Sequence, residues 1–173
     1  VILFSAVDAL GHAQPITSQA EGTLHPTGKG FVITFGTGKY LETADVSSPY
    51  IVNSFYGIWD KNDSPGNIAA QTHVTGRNQL LTQVITTVTS GTQTYRSVTN
   101  NAELWSEDTT PPTAGDSPTR HMGWLMDFPS SDTTGERSVS KPILRNSRLI
   151  FTTITPASSP CSAGGSSFLM IVE

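Results

Sequence analysis

The sequence predicts an all-β protein, and three observations predict it. Ser and Thr together make up about a quarter of its 173 residues, Gly and Pro are abundant at 15 and 11, and short β-branched runs recur every ten residues or so between turn-forming clusters. The charged fraction is 14%, well below the typical ~25%, so long amphipathic helices have little raw material. With 36% hydrophobic content the chain can bury one ordinary core, and it is read as a single unit over residues 1–173.

Taken in order, the strands begin with the apolar start Val1 to Phe4 and a candidate at Gln14 to Gln19 around Pro15. Gly30 to Thr37 (GFVITFGT) is a strong β run bounded by glycines. Leu41 to Tyr50 holds one helical turn that Pro49 stops, and Ser54 to Trp59 alternates aromatic and small residues as a half-buried strand does. Leu80 to Ser90 and Gln93 to Thr99 flank Gly91 as a hairpin, with Thr and Val on alternating faces. Trp124 to Phe128, Ser138 to Leu144, Arg148 to Thr155 and Phe168 to Val172 complete the set, with a tight turn at Asn146 and Ser147. Asp60 to Gly66 and Glu107 to His121 are polar, lack apolar periodicity and read as loops.

FVITFGTGKY and RLIFTTITP share a pattern in which a β-branched run reaches Phe, then Thr, then Gly or Pro. Their spacing exceeds one propeller blade and fits two or three blades in this length, which favours a propeller over a sandwich or barrel.

The formal net charge of -4 supplies no basic field for phosphates, which argues against nucleic acid and anionic membrane surfaces as partners. No stretch reaches membrane-spanning length, and the composition leans towards exported bacterial proteins. Cys161, the single cysteine, forms no internal disulfide. Gly36, Gly38 and Lys39 carry a fragment of a phosphate loop without its full spacing, so a strand-ending turn is the better reading. His12, His25, His73 and His121 have no metal-ligand spacing and read as surface residues. No GxSxG elbow is present, and Asp127 with Glu136 or Asp8 with Glu21 become paired carboxylates only if the fold unites them. Trp59, Trp105 and Trp124 are expected to pack between sheets rather than to form a sugar-stacking platform. Glu136 and Arg137 read as a solvated turn, or as a tie to the neighbouring blade.

The blocks QPITSQAEGTLHPTGKGFVITFGTGKYLETAD, SFYGIWDKND, GWLMDFP, GERSVSKPILRNSRLIFTTITP and PCSAGGSSFLMIVE, in this order and spacing, resemble the C-terminal propeller domain of the PilY/PilC family of type IV pilus biogenesis factors. The resemblance covers essentially the whole chain and is least at Leu80 to His121. It implies about three blades of a modified seven-bladed β-propeller, continuing beyond both ends of the segment. It also implies a non-enzymatic pilus biogenesis factor and tip-associated adhesin, at the pilus tip or outer membrane, supporting extension, attachment and twitching motility. The implied partners are pilins and the tip complex, a host or surface receptor, and the remaining blades. Calcium is the implied cofactor. The nearest candidate ligands here are Asp60, Asn62 and Ser64, but Pro65 stands at the expected glycine position and Gln71 where a bidentate Glu would close the site, so the ion is expected outside this segment. A quinoprotein dehydrogenase fragment and a lectin-like binding module are the alternative readings.

Overall fold

The computed structural model describes residues 2–67, 70–110, 118–157 and 164–173. Among them are nine strands: β1 (Glu21–Leu24), β2 (Phe31–Gly36), β3 (Ser54–Asp60), β4 (Leu81–Ser90), β5 (Gln93–Val98), β6 (Gly123–Asp127), β7 (Ile143–Arg145), β8 (Arg148–Pro156) and β9 (Gly165–Val172). The all-β expectation holds. The helical content described is one short α-helix, α1 (Ser131–Thr134), and short 3₁₀ turns, including the one expected before Pro49, at Thr43–Val46.

The strands gather into two sheets. Six form a wide sheet in the order β1-β2-β3-β6-β4-β5, and three form the sheet β7-β8-β9. All pairs are antiparallel except β4 with β6, which run parallel with Leu81 opposite Trp124. The wide sheet curls, so that β1 at one edge touches β7 and β5 at the other touches β9.

The two-residue period of a strand distributes the core. On β3, the even-numbered Tyr56 and Ile58 face a cluster with Phe35, Leu80, Met122 and Leu125 that Leu3 and Phe4 cover from outside. The odd-numbered Phe55 faces a second cluster between the sheets, with Met126, Phe128, Leu149, Phe151 and Met170. Phe55 and Phe151 stack with centroids 3.9 Å apart, which joins the two sheets directly. The structure thus corrects the half-buried reading of β3: its first six residues are all buried, because both sheet faces are covered.

Several expected strands differ. Leu3 and Phe4 contribute packing but no strand. Around Pro15, which has no N–H to donate, pairing is limited to a parallel bridge between Ile16 and Gly38. The segment expected as a strand from Ser138 is broken: Arg137 bridges to Ile154, Ser138 donates its N–H to Thr37 O at 3.0 Å, and regular pairing resumes at Ile143. β1 was not expected, since EGTL is four residues with one large apolar side chain. The turns at Gly91 (φ 60°) and at Asn146 and Ser147 (φ 50° and 61°) are left-handed, as two-residue hairpins require.

The glycines of FGTGKY make room for this crossing. A Cβ on Gly36 would stand 2.5 Å from Ser138 Cβ, and one on Gly38 would stand 2.4 Å from Arg137 Cβ. Gly36→Ala is therefore expected to cost roughly 2–3 kcal/mol, on the order of 5–10 °C in thermal midpoint. Gly22→Ala, whose added methyl meets only the mobile end of Ile33 at 3.3 Å, should cost less than about 0.5 kcal/mol in the same melting experiment.

Candidate functional site

The loop carrying the expected calcium ligands leaves β3 at Asp60. Asp60 Oδ1 accepts the Asn62 N–H at 3.2 Å, and Asn62 adopts a left-handed φ of 47°. The Gln71 side-chain amide then donates to Asn62 Oδ1 at 3.2 Å and to the Ser64 carbonyl at 3.5 Å, while the Ser64 hydroxyl donates to Ala70 O. Asp63 anchors the loop by accepting from the Thr72 N–H and hydroxyl, bonds that hold its carboxyl well below the usual range. Lys61 lies between Asp63 and Glu107, at 3.1 and 2.6 Å. The loop's oxygens thus serve the loop itself, one cation is already built in, and Asp60 is the one carboxylate among the three candidates. That donor set does not fit a calcium site. Among the described residues no group of three or more His, Cys, Asp or Glu is arranged to hold a metal.

Beside this loop the structure gathers residues that the sequence left scattered. His25, which follows β1, stacks on Trp59 at 4.2 Å and meets the edge of Trp105 at 4.5 Å. Trp59 Nε1 donates to Lys29 O at 2.7 Å, and Trp105 pairs in parallel with His121. The surface reading fails for His25 and His121, which are 2% and 6% exposed; burial depresses the pKa of both rings. Trp59, stacked and buried, offers no face to a sugar.

Glu103 is the outlying group of the cluster. Neither of its carboxyl oxygens has a hydrogen-bond partner, nor has His121 Nδ1, which stands 3.9 Å from Glu103 Oε1. Burial pushes the Glu103 carboxyl up to about 8. Trp105 and Glu103 border a cleft of about 490 Å³ between the sheets, walled by Val32, Trp124, Leu149 and Val172. No sequence spacing announced Glu103, because the fold alone desolvates it.

A second polar group lies under the N-terminal segment. Arg77 donates from Nη2 to both oxygens of Asp127 at 3.0 and 2.8 Å, and from Nη1 to the Tyr56 hydroxyl at 2.8 Å. The Ser54 hydroxyl donates to Asp127 Oδ1 at 2.5 Å and accepts from Gln14 Nε2 at 2.7 Å, and the Tyr56 hydroxyl donates to Gln14 Oε1 at 2.6 Å. This network is satisfied within itself and serves the framework. Neither suggested carboxylate pair forms a dyad: Asp127 is bound to Arg77, Glu136 to Arg96, Asp8 to His12 and Glu21 to Lys141.

Comparison with known proteins gives consistent matches. A model of the PilY1 β-propeller domain matches residues 2–98. The type IV pilus biogenesis factor PilY1 of Pseudomonas aeruginosa is 34% identical over 173 residues, which covers 96% of this chain and 14% of that protein. A PilY1 homolog from Xylella fastidiosa is 30% identical over 99% of this chain and 10% of its own length. The crystal structure of the P. aeruginosa PilY1 C-terminal domain superposes with a TM-score of 0.70 at 33% identity, covering 89% of this chain and 32% of that one. The chain therefore spans a small fraction of the length of these relatives.

The Glu103 environment has a measurable consequence. In the unfolded chain the carboxyl ionises near 4.5, whereas the fold retains its proton to about 8. The folded state thus binds the extra proton, so this group's effect on stability becomes less favourable as pH rises from about 4.5 to about 8. Thermal unfolding across that range is expected to show Glu103→Gln gaining on the parent, on the order of 5 °C by pH 8, with no further gain above it.

Proposed function

This chain belongs to the PilY1 β-propeller family, and from that premise we propose that it is a non-enzymatic portion of a type IV pilus biogenesis factor acting at the bacterial surface. The observation that carries the reading is the match over 96% of the chain to a protein named for pilus biogenesis, together with the shared propeller-domain fold. On this reading the segment is a rigid module at the pilus tip or outer membrane. It supports extension against retraction, attachment and twitching motility by contacting pilins of the tip complex and a surface receptor.

Its physical basis is binding by exposed elements on a fixed frame. The β4–β5 hairpin projects with every residue from Thr86 to Tyr95 exposed, and it is rich in Thr with Val88 and Tyr95 on its surface. The polar segment after Trp105, whose residues 111–117 lie outside the described part, is the other contact element. In a bacterium carrying the corresponding gene, deletion is expected to reduce sheared surface pilin and the twitching zone. Removing the retraction motor as well should restore the pili. Replacing Val88 to Tyr95 by a two-residue turn, which keeps Thr87 opposite Arg96, should lower attachment while leaving the expressed protein folded. Unchanged piliation and attachment in the deletion strain would refute the assignment.

Calcium, the ion the resemblance implies, we place outside the Asp60 to Ser64 loop. Titrating calcium chloride into the 173-residue chain should give the same calorimetric trace for the parent and for Asp60→Asn. A saturable heat that Asp60→Asn abolishes would put the ion in the loop instead.

A further inference from the structure

The two sheets touch at both seams, β1 against β7 and β5 against β9, and so enclose a space between them. Phe55, Phe128 and Phe151 fill one part of it. The rest is the cleft of about 490 Å³ beside Glu103, a size typical of small-molecule sites, with Val32, Trp105, Trp124 and Leu149 in its apolar wall. The charged residues that border it are Glu103 and Glu173, and no Lys, Arg or His does. Glu173 is matched by Arg148, whose Nε donates to it at 2.7 Å. Glu103 has no such counterpart among the described residues: both of its oxygens lack a donor, and the facing His121 Nδ1, 3.9 Å away, lacks a partner too. The buried carboxylates Asp8, Asp45 and Glu136 each accept at least two hydrogen bonds. A carboxyl withdrawn from water without donors is costly, and Glu103 is the exception that calls for a reason.

We propose that the cleft binds a small primary amine, its ammonium group against the Glu103 carboxylate and its apolar body between Trp105, Trp124 and Leu149. Charge complementarity selects this occupant. An ammonium supplies three N–H donors to oxygens that have none, and indole faces attract a cation. A carboxylate or phosphate ligand would meet Glu103 and Glu173 with no cation to receive it. Binding also moves one proton. Because Glu103 keeps its proton to about 8, below that pH the carboxyl enters the complex by releasing the proton to solvent while the amine keeps its own. The titratable groups nearest it are His121, at 3.9 Å, and His25, packed on Trp59 and Trp105; burial lowers the pKa of both rings, so neither adds charge above pH 6.5. The inference rests on the cleft and not on the pilus role, so it survives failure of the genetic test above.

The test is calorimetric titration of the full-length gene product that contains this chain, with phenethylamine as the probe. At pH 8 the parent should give a saturable heat, and Glu103→Gln, which keeps the size of the side chain, should bind at least about tenfold more weakly. Phenethyl alcohol and hydrocinnamate, the uncharged and anionic counterparts, should be weaker by a similar factor. A second readout needs no variant. Between pH 6.5 and about 8 the affinity of the parent for phenethylamine should rise about tenfold per pH unit and then level off, with about one proton released at pH 6.5 in buffers of different ionisation enthalpy. No saturable heat with the parent, or equal binding by Glu103→Gln, would overturn the proposal. So would an affinity that is flat below pH 8 and matched by phenethyl alcohol, since the cleft would then take a neutral acceptor of the Glu103 proton.

Discussion

The mating of the two sheets depends on one buried carboxylate. Glu136, 2% exposed, accepts from Arg96 Nη2 at 2.6 Å through one oxygen and from the Thr153 hydroxyl at 2.7 Å through the other. Arg96 comes from β5 in the wide sheet and Thr153 from β8 in the narrow one, and the Arg96 guanidinium lies 4.3 Å over the Phe168 ring of β9. A buried ion pair adds little net stability over an apolar substitute, but losing one partner strands the other charge at a cost of about 3–5 kcal/mol. The pair therefore acts on alignment. Slippage of β5 along β9 would leave both ions buried and alone, so one register of sheet against sheet is selected.

Glu136 can reach that position because its neighbours are fixed on either side. α1 ends at Gly135, whose φ of 73° turns the chain, and a Cβ there would collide with Tyr50 and the Arg137 side chain. Arg137 then turns away from Glu136, donating to Gly135 O and Lys39 O, with its guanidinium 5.6 Å from the Tyr50 ring centre. The two adjacent charges are thus spent in opposite directions, one tying sheet to sheet and one tying the crossing to the chain after Gly38. The Arg77–Asp127–Tyr56 network does the corresponding task for the N-terminal segment. Its polar groups satisfy one another, so the segment from Val7 to Gln14 is held in a specific place rather than as a loose apolar cover.

Periodicity made the strands legible but not their partners. β2, β3, β4, β5, β8 and β9 fall close to the β-branched runs, and the hairpin glycine and the Asn146–Ser147 turn fall where their chemistry placed them. The insertion of β6 between β3 and β4 was hidden, because hydrogen-bond order is decided by packing on both faces, which alternation along one strand does not encode. Glu136 and Arg137 illustrate the same limit. GER after a turn looks like a solvated corner unless one knows that Arg96, forty residues earlier, arrives beside it. His25 was misread for a related cause: the flanking Pro26 describes the local backbone, whereas burial came from Trp59 and Trp105. In the loop from Asp60, the departures at Pro65 and Gln71 from a calcium-loop pattern are visible in sequence; the anchoring role of Asp63 through Thr72 was not.

The crossing at Arg137 and Ser138 also constrains how the molecule comes to be folded. It joins Thr37 on one side to Ile154 on the other, so segments separated by about a hundred residues of chain must meet before either sheet has its final neighbour. The hairpins β1-β2-β3 and β7-β8-β9 pair neighbours in sequence and need no such meeting, so they are ready-made pieces that the crossing brings together last.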